Sequence, residues 1–256
     1  MLITSLIFII LTLLIAVVVP IIGLIVLKNK TSYSLKIIFI GIMAFFISQM
    51  MITIPLLDYF STMAWYDQLK ITFPFLISLI VGFTSGIIEE TTRYITFKFI
   101  AKNNCTYDNG IAYSLSYEGI KSIVILGFYY AMYLFTAITM LQNTFENQML
   151  KQGVALSEIE SVKSLFMDNP FLFLSDGVNQ LLSFIIQILL SLFVIYSIKS
   201  SNMKYLIFAV LINSLFITMR IHLTGYIAYG FLISVFIGSI YLIKWFKDNK
   251  LSNTAT

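Results

Sequence analysis

Charge is what this sequence has least of. Only 11% of its 256 residues are Asp, Glu, Lys or Arg, less than half the roughly 25% usual in water-soluble domains. Too few remain to cover a soluble surface, which excludes a substantial soluble domain. Sixteen basic residues against twelve acidic give a net charge of +4, but the basic residues stand singly between apolar runs. They form no patch or stripe, so a nucleic-acid partner is excluded. A single cysteine, Cys105, precludes an intramolecular disulfide. The opening run, residues 1–27, lacks the basic start and the small-x-small cleavage site of a secretory signal. It reads as a membrane span that stays.

Apolar residues make up 59% of the chain. Crossing about 30 Å of hydrocarbon takes about 20 of them in a row. Seven segments meet or approach this, at about 3–27, 35–57, 71–100, 110–141, 177–198, 204–219 and 224–246. The expectation is an all-α, polytopic transmembrane helix bundle of about seven spans. Residues 1–256 then form a single integral domain in the cell membrane. The third and fourth segments are too long for a simple crossing and should project, tilt or break. Basic residues gather in alternate connectors (Lys28, Lys30 and Lys36, then Lys98 and Lys102, then Lys199 and Lys204) and in the tail at Lys244, Lys247 and Lys250. By the positive-inside rule the N-terminus lies outside and the C-terminus in the cytoplasm. The long connector, 142–175, then lies outside. Its run of Leu156, Ile159, Val162 and Phe166 at helical spacing predicts a short amphipathic helix resting on the membrane surface. Ser157 and Glu160 fit a capping box at its start. Tyr226 and Tyr229 read as interface anchors, and Tyr129, Tyr130 and Tyr133 as packing residues or the wall of a peptide groove.

Ionisable groups at membrane depth are costly and mark function by default. The third span carries Glu89, Glu90 and Arg93, and the fourth carries Tyr117, Glu118 and Lys121; Gln187 and Asn213 interrupt the next two. Depths follow from about 1.5 Å per residue: Glu89 and Glu90 fall roughly 18–20 Å from Lys102, Glu118 roughly 13–15 Å from Asp108, Gln187 roughly 18 Å from Lys199, and Asn213 roughly 13 Å from Lys204. Four helices thus place polar groups in one slab of the membrane. Arg93 follows Glu89 by four residues and Glu90 by three, so it can pair with either; Glu118 and Lys121 can pair likewise. Two adjacent carboxylates in low dielectric do not both ionise cheaply, which suits one of them to acid or base chemistry.

The run Glu89-Glu90-Thr-Thr-Arg93-Tyr94, followed by Asn109-Gly-Ile-Ala-Tyr-Ser-Leu-Ser-Tyr-Glu-Gly-Ile-Lys121, resembles the YhfC family. These are bacterial intramembrane proteases related to the CAAX prenyl endopeptidases. The likeness is strongest over about 86–127 and extends weakly through Gln187 and Asn213. It implies a helix bundle whose paired glutamates, with histidines from later helices, activate water against a peptide bond. Members typically carry His-Gly-Gly-x-Glu on the second motif helix and one histidine on each of the next two. The matching positions here are Tyr117-Glu118-Gly119-Ile120-Lys121, then Gln187, then Asn213. The one histidine, His222, falls roughly 13 Å beyond Asn213.

Zinc needs about three protein ligands, and the ligand histidines are absent, so no cofactor or metal is expected. The first expectation is therefore a degenerate member, a pseudoprotease that binds a hydrophobic peptide or membrane protein in an immunity or regulatory role. The second is an active, metal-free intramembrane endopeptidase. There Glu89, Glu90, Arg93 and Glu118 form the catalytic group, and Tyr117, Lys121, Gln187 and Asn213 the supporting polar layer. A third is a small transporter whose broken helices are interrupted at Gly82, Gly86 and Gly119.

Overall fold

A computed structural model describes residues 1–223, 225–249 and 251, apart from the side chains at 225, 226 and 229. Tyr226 and Tyr229 therefore lie outside the described side chains. The described chain is helical throughout and has no strand. Seven helices are long and apolar enough to cross a membrane: span 1 (Leu2–Lys30), span 2 (Leu35–Ser61), span 3 (Pro74–Ile100), span 4 (Tyr107–Leu141), span 5 (Phe171–Lys199), span 6 (Lys204–His222) and span 7 (Gly225–Asn249). The protein is a multi-pass membrane protein.

Spans 3 and 4 do not break. Each runs on through a π-helical stretch, Thr96–Ile100 in span 3 and Ser122–Gly127 in span 4, and a third such stretch, Phe46–Thr53, lies inside span 2. At 35 residues span 4 is about 52 Å long and outreaches the hydrocarbon. Gly82, Gly86 and Gly119 all lie within unbroken α-helix, so they do not mark the discontinuous helices expected of a transporter. Span 5 starts at Phe171, six residues earlier than expected, because the apolar turn Phe171–Leu174 precedes Asp176 and joins the helix. A short helix, Ala64–Thr72, fills the connector between spans 2 and 3.

The chain groups into two compact units. One comprises Met1–Gly23 and Gly119–Ser183, the other Leu24–Glu118 and Phe184–Thr256. In the first, Thr12 Oγ1 donates to the Phe173 carbonyl at 2.6 Å, and Ser5 Oγ to that of Phe166. The connector holds two helices, Phe145–Lys151 and Leu156–Asp168. Ile159 and Phe166 of the latter are buried with Ile9, Tyr130, Ala137 and Phe173. These two residues of its apolar stripe are therefore covered by protein, while Leu156 stays exposed. The capping box is not formed: Ala155 is the N-cap, with no side-chain cap bond. Ser157 already lies in the first turn, where its carbonyl accepts from Ser161 Oγ at 2.8 Å. Tyr130 is buried and Tyr133 packs on Tyr130, Phe166 and Phe173, while Tyr129 is exposed. Tyr130 and Tyr133 thus pack within this unit.

The second unit carries the charged residues of span 3. Here two glycines decide the geometry. A Cβ on Gly82 would sit 2.6 Å from the Ser214 carbonyl oxygen, and one on Gly86 would sit 2.9 Å from the Ser214 nitrogen. Gly82-x-x-x-Gly86 therefore lets span 3 lie backbone to backbone against span 6, as small residues do between membrane helices. One turn further along span 3 come Glu89 and Glu90, and one residue before Ser214 on span 6 comes Asn213.

Candidate functional site

Glu89, Glu90 and Arg93 are each at most 1% exposed, so their partners must come from protein. One nitrogen of the Arg93 guanidinium, Nη1, lies 2.9 Å from each oxygen of Glu90. The other, Nη2, donates to the side-chain oxygen of Gln187. The Gln187 amide nitrogen turns to Glu89 Oε2 at 3.3 Å. From span 6, Asn213 Nδ2 bridges Glu89 Oε2 at 3.0 Å and Glu90 Oε1 at 2.8 Å. These bonds close a ring: Glu89, Asn213, Glu90, Arg93, Gln187 and back to Glu89. Both amides turn their NH2 toward carboxylate, and Gln187 also turns its carbonyl toward the guanidinium. The pairing of Arg93 with Glu90 that the sequence allowed is formed, at 2.9 Å.

The fourth carboxylate oxygen, Glu89 Oε1, accepts from Gln49 Nε2 at 2.7 Å. Gln49 belongs to the π-helical stretch of span 2 and escaped the sequence reading. Its signal was there, as an amide in the middle of an otherwise apolar span. The neighbouring Ser48 Oγ lies 2.8 Å from the Tyr117 hydroxyl. Tyr113 was also missed. Its ring and that of Tyr117 stack on each other and flank Arg93, with the guanidinium carbon 5.9 Å and 5.8 Å from the ring centres. Such cation–π contacts strengthen when desolvated. Span 5 is held against span 4 by Ser114 Oγ, which donates to the Gln187 carbonyl at 2.9 Å and lies 2.6 Å from Ser191 Oγ. That fixes the height at which the Gln187 side chain enters the ring.

The structure thus brings together Glu89, Glu90, Arg93, Gln187 and Asn213, with Tyr117 against the guanidinium. Glu118 is buried beside Tyr117, and Lys121 lies half-buried one turn on along the same unbroken helix. The polar groups of spans 3, 5 and 6, expected in one slab, touch one another. His222 meets the Phe75 ring edge to face, at a ring separation of 4.9 Å, at the far end of span 6.

Residues 15–242 match the model of the family described as YhfC intramembrane metalloprotease. The chain belongs to this family. It is 27% identical over 197 residues to a protein of Bacillus subtilis (strain 168) named "Uncharacterized membrane protein YhfC", covering 76% of each chain. No solved structure matches it.

The family's name implies a metal, and the ring tests the fit. Glu89 and Glu90 are its only anionic donors. The amides of Gln187, Asn213 and Gln49 present NH2 groups toward the carboxylates, and an NH2 cannot ligate a cation. Arg93 already supplies a positive charge to Glu90. Among the described residues, no group of three His, Cys, Asp or Glu is gathered anywhere. The residues present do not fit a zinc centre, which needs about three such ligands and an open position.

Proposed function

We propose that this chain is a degenerate family member, a pseudoprotease that keeps the membrane scaffold and binds a hydrophobic peptide or membrane protein without cutting it. Such binding serves an immunity or regulatory role. One observation carries the reading: all four oxygens of Glu89 and Glu90 already accept hydrogen bonds from Gln49, Gln187, Asn213 and Arg93. A carboxylate that is to activate water must turn an oxygen toward it. Withdrawing an oxygen here strands a buried donor, at about 1–3 kcal/mol each. The ring supplies its own cation, so it needs neither zinc nor another cofactor. With the N-terminus outside, as the basic connectors indicate, the ring lies toward the cytoplasmic leaflet.

The test uses the full chain in lipid nanodiscs with a library of fluorescent transmembrane peptides. Wild type is expected to retain a subset of peptides intact through prolonged incubation. Fragments that form with wild type and vanish with Glu90→Gln would replace this reading with an active, metal-free peptidase.

A further inference from the structure

An apolar groove of about 340 Å³ lies between spans 2 and 3, lined by Phe39, Met43, Ile47, Ile52, Ile95 and Ile100 among others. That is the low end of the ligand-site range, about 300–1,000 Å³. Both walls include π-helical backbone: Ile47 and Ile52 belong to Phe46–Thr53, and Ile100 to Thr96–Ile100. Isolated π turns recur at functional sites because they re-aim neighbouring side chains. In span 2 the stretch does so visibly. It sends Ser48 and Gln49 inward to Tyr117 and Glu89, while Ile47 and Ile52, each 42% exposed, face the groove.

The chain also marks one mouth of this groove. Gln49 meets Glu89, and Phe39 shares the lining with Ile100, so the two spans run antiparallel. Lys36, one turn before Phe39, therefore comes to the same end as Lys102, and both are exposed. Lys98 is held on the Tyr94 hydroxyl at 3.0 Å, on the opposite side of span 3 from Thr92 and Thr96 of the lining. The result is a slot for a hydrocarbon chain, with two positive charges where the spans leave the membrane. Each such charge favours an anionic headgroup, whereas an uncharged peptide segment gains nothing from them.

We propose that the groove between spans 2 and 3 binds an anionic glycerophospholipid, one acyl chain in the slot and the phosphate at Lys36 and Lys102. The occupant braces the outer side of the stretch that holds Gln49 on Glu89. The proposal is independent of whether the ring hydrolyses anything.

Native mass spectrometry of the full chain in detergent tests it, with phosphatidylglycerol and phosphatidylcholine of identical acyl chains. Wild type should retain one phosphatidylglycerol in preference to phosphatidylcholine. Lys36→Gln and Lys102→Gln should each weaken that retention about fivefold, at one charge contact apiece, while Lys98→Gln, on the far side of span 3, should weaken it less. Ile47→Trp with Ile95→Trp fills the slot from exposed positions and should abolish retention of both lipids. Equal retention of the two lipids by wild type would overturn the proposal. So would undiminished phosphatidylglycerol retention by the tryptophan pair, or displacement of the lipid by an uncharged transmembrane peptide. Unfolding temperatures of all variants, read alongside, separate loss of the site from loss of the fold.

Discussion

Arg93 Nη1 lies 2.9 Å from both oxygens of Glu90, and both residues are wholly buried. The pair is one turn of a single helix, so it forms without any tertiary contact. Gln187 and Asn213 then complete it from two other spans. A local ion pair has become the centre of a ring that ties spans 3, 5 and 6 together.

Breaking the pair on one side leaves a buried charge uncompensated. Arg93→Met should therefore lower stability by about 3–5 kcal/mol, while Arg93→Met with Glu90→Leu should recover most of that loss. Denaturant unfolding in detergent measures both. A double variant no better than the single would mean that the two residues do not act as a pair.

Gln49 closes the ring from span 2. Gln49→Leu keeps its bulk but strips Glu89 Oε1 of a donor, a loss of about 1–3 kcal/mol. Gln68→Leu, at an exposed amide of the connector helix, should change stability by less than about 0.5 kcal/mol. Comparable melting shifts for the two variants would contradict the placement of Gln49.

Gly86 sets the distance between spans 3 and 6. Gly86→Leu pushes a side chain into the Ser214 backbone, which cannot yield as a flexible side chain would. The spans should separate and the Asn213 bonds to Glu89 and Glu90 should be lost. A cysteine pair engineered at Ser78 and Thr218, which already meet across the two spans, should then cross-link more slowly than in the parent. An unchanged rate would show that the close approach does not depend on Gly86.

Cys105 lies in the connector after span 3. Burial pushes its thiol up from the ordinary range, and the nearby Lys199 offsets this in part. A raised thiol holds its proton longer, and only the thiolate reacts. Maleimide labelling should therefore be slow near pH 7 and keep accelerating above about pH 9. With the C-terminus in the cytoplasm, an impermeant reagent should reach Cys105 in inverted vesicles and not in intact cells. Labelling of intact cells would reverse the orientation.

Much of this was legible in the sequence, for reasons that differ by element. The spans were readable because about 20 apolar residues in a row have no other stable use. Glu89, Glu90, Arg93, Gln187 and Asn213 were readable because polar groups at one depth on several helices imply contact. Gln49 and Tyr113 were not picked out, since an amide and a phenol in apolar runs are common and only the fold brings them to Glu89 and Arg93. The glycines misled: Gly82 and Gly86 suggested breaks, but in the membrane small residues serve close packing. The Leu156–Asp168 helix was legible as an amphipathic helix, though not the residues that bury Ile159 and Phe166. Amphipathicity predicts an apolar face that must be covered, and it does not say whether lipid or protein covers it.

The account turns on whether Glu89 and Glu90 are held by the protein's own donors or by a metal. The most direct measurement is the metal content of the purified wild-type chain in detergent, after equilibration with zinc, beside a Glu89→Gln/Glu90→Gln variant. The ring of amides and Arg93 predicts no stoichiometric metal in either sample. One divalent ion per chain in wild type, lost in the variant, would contradict it and return this protein to the active metalloproteases of its family.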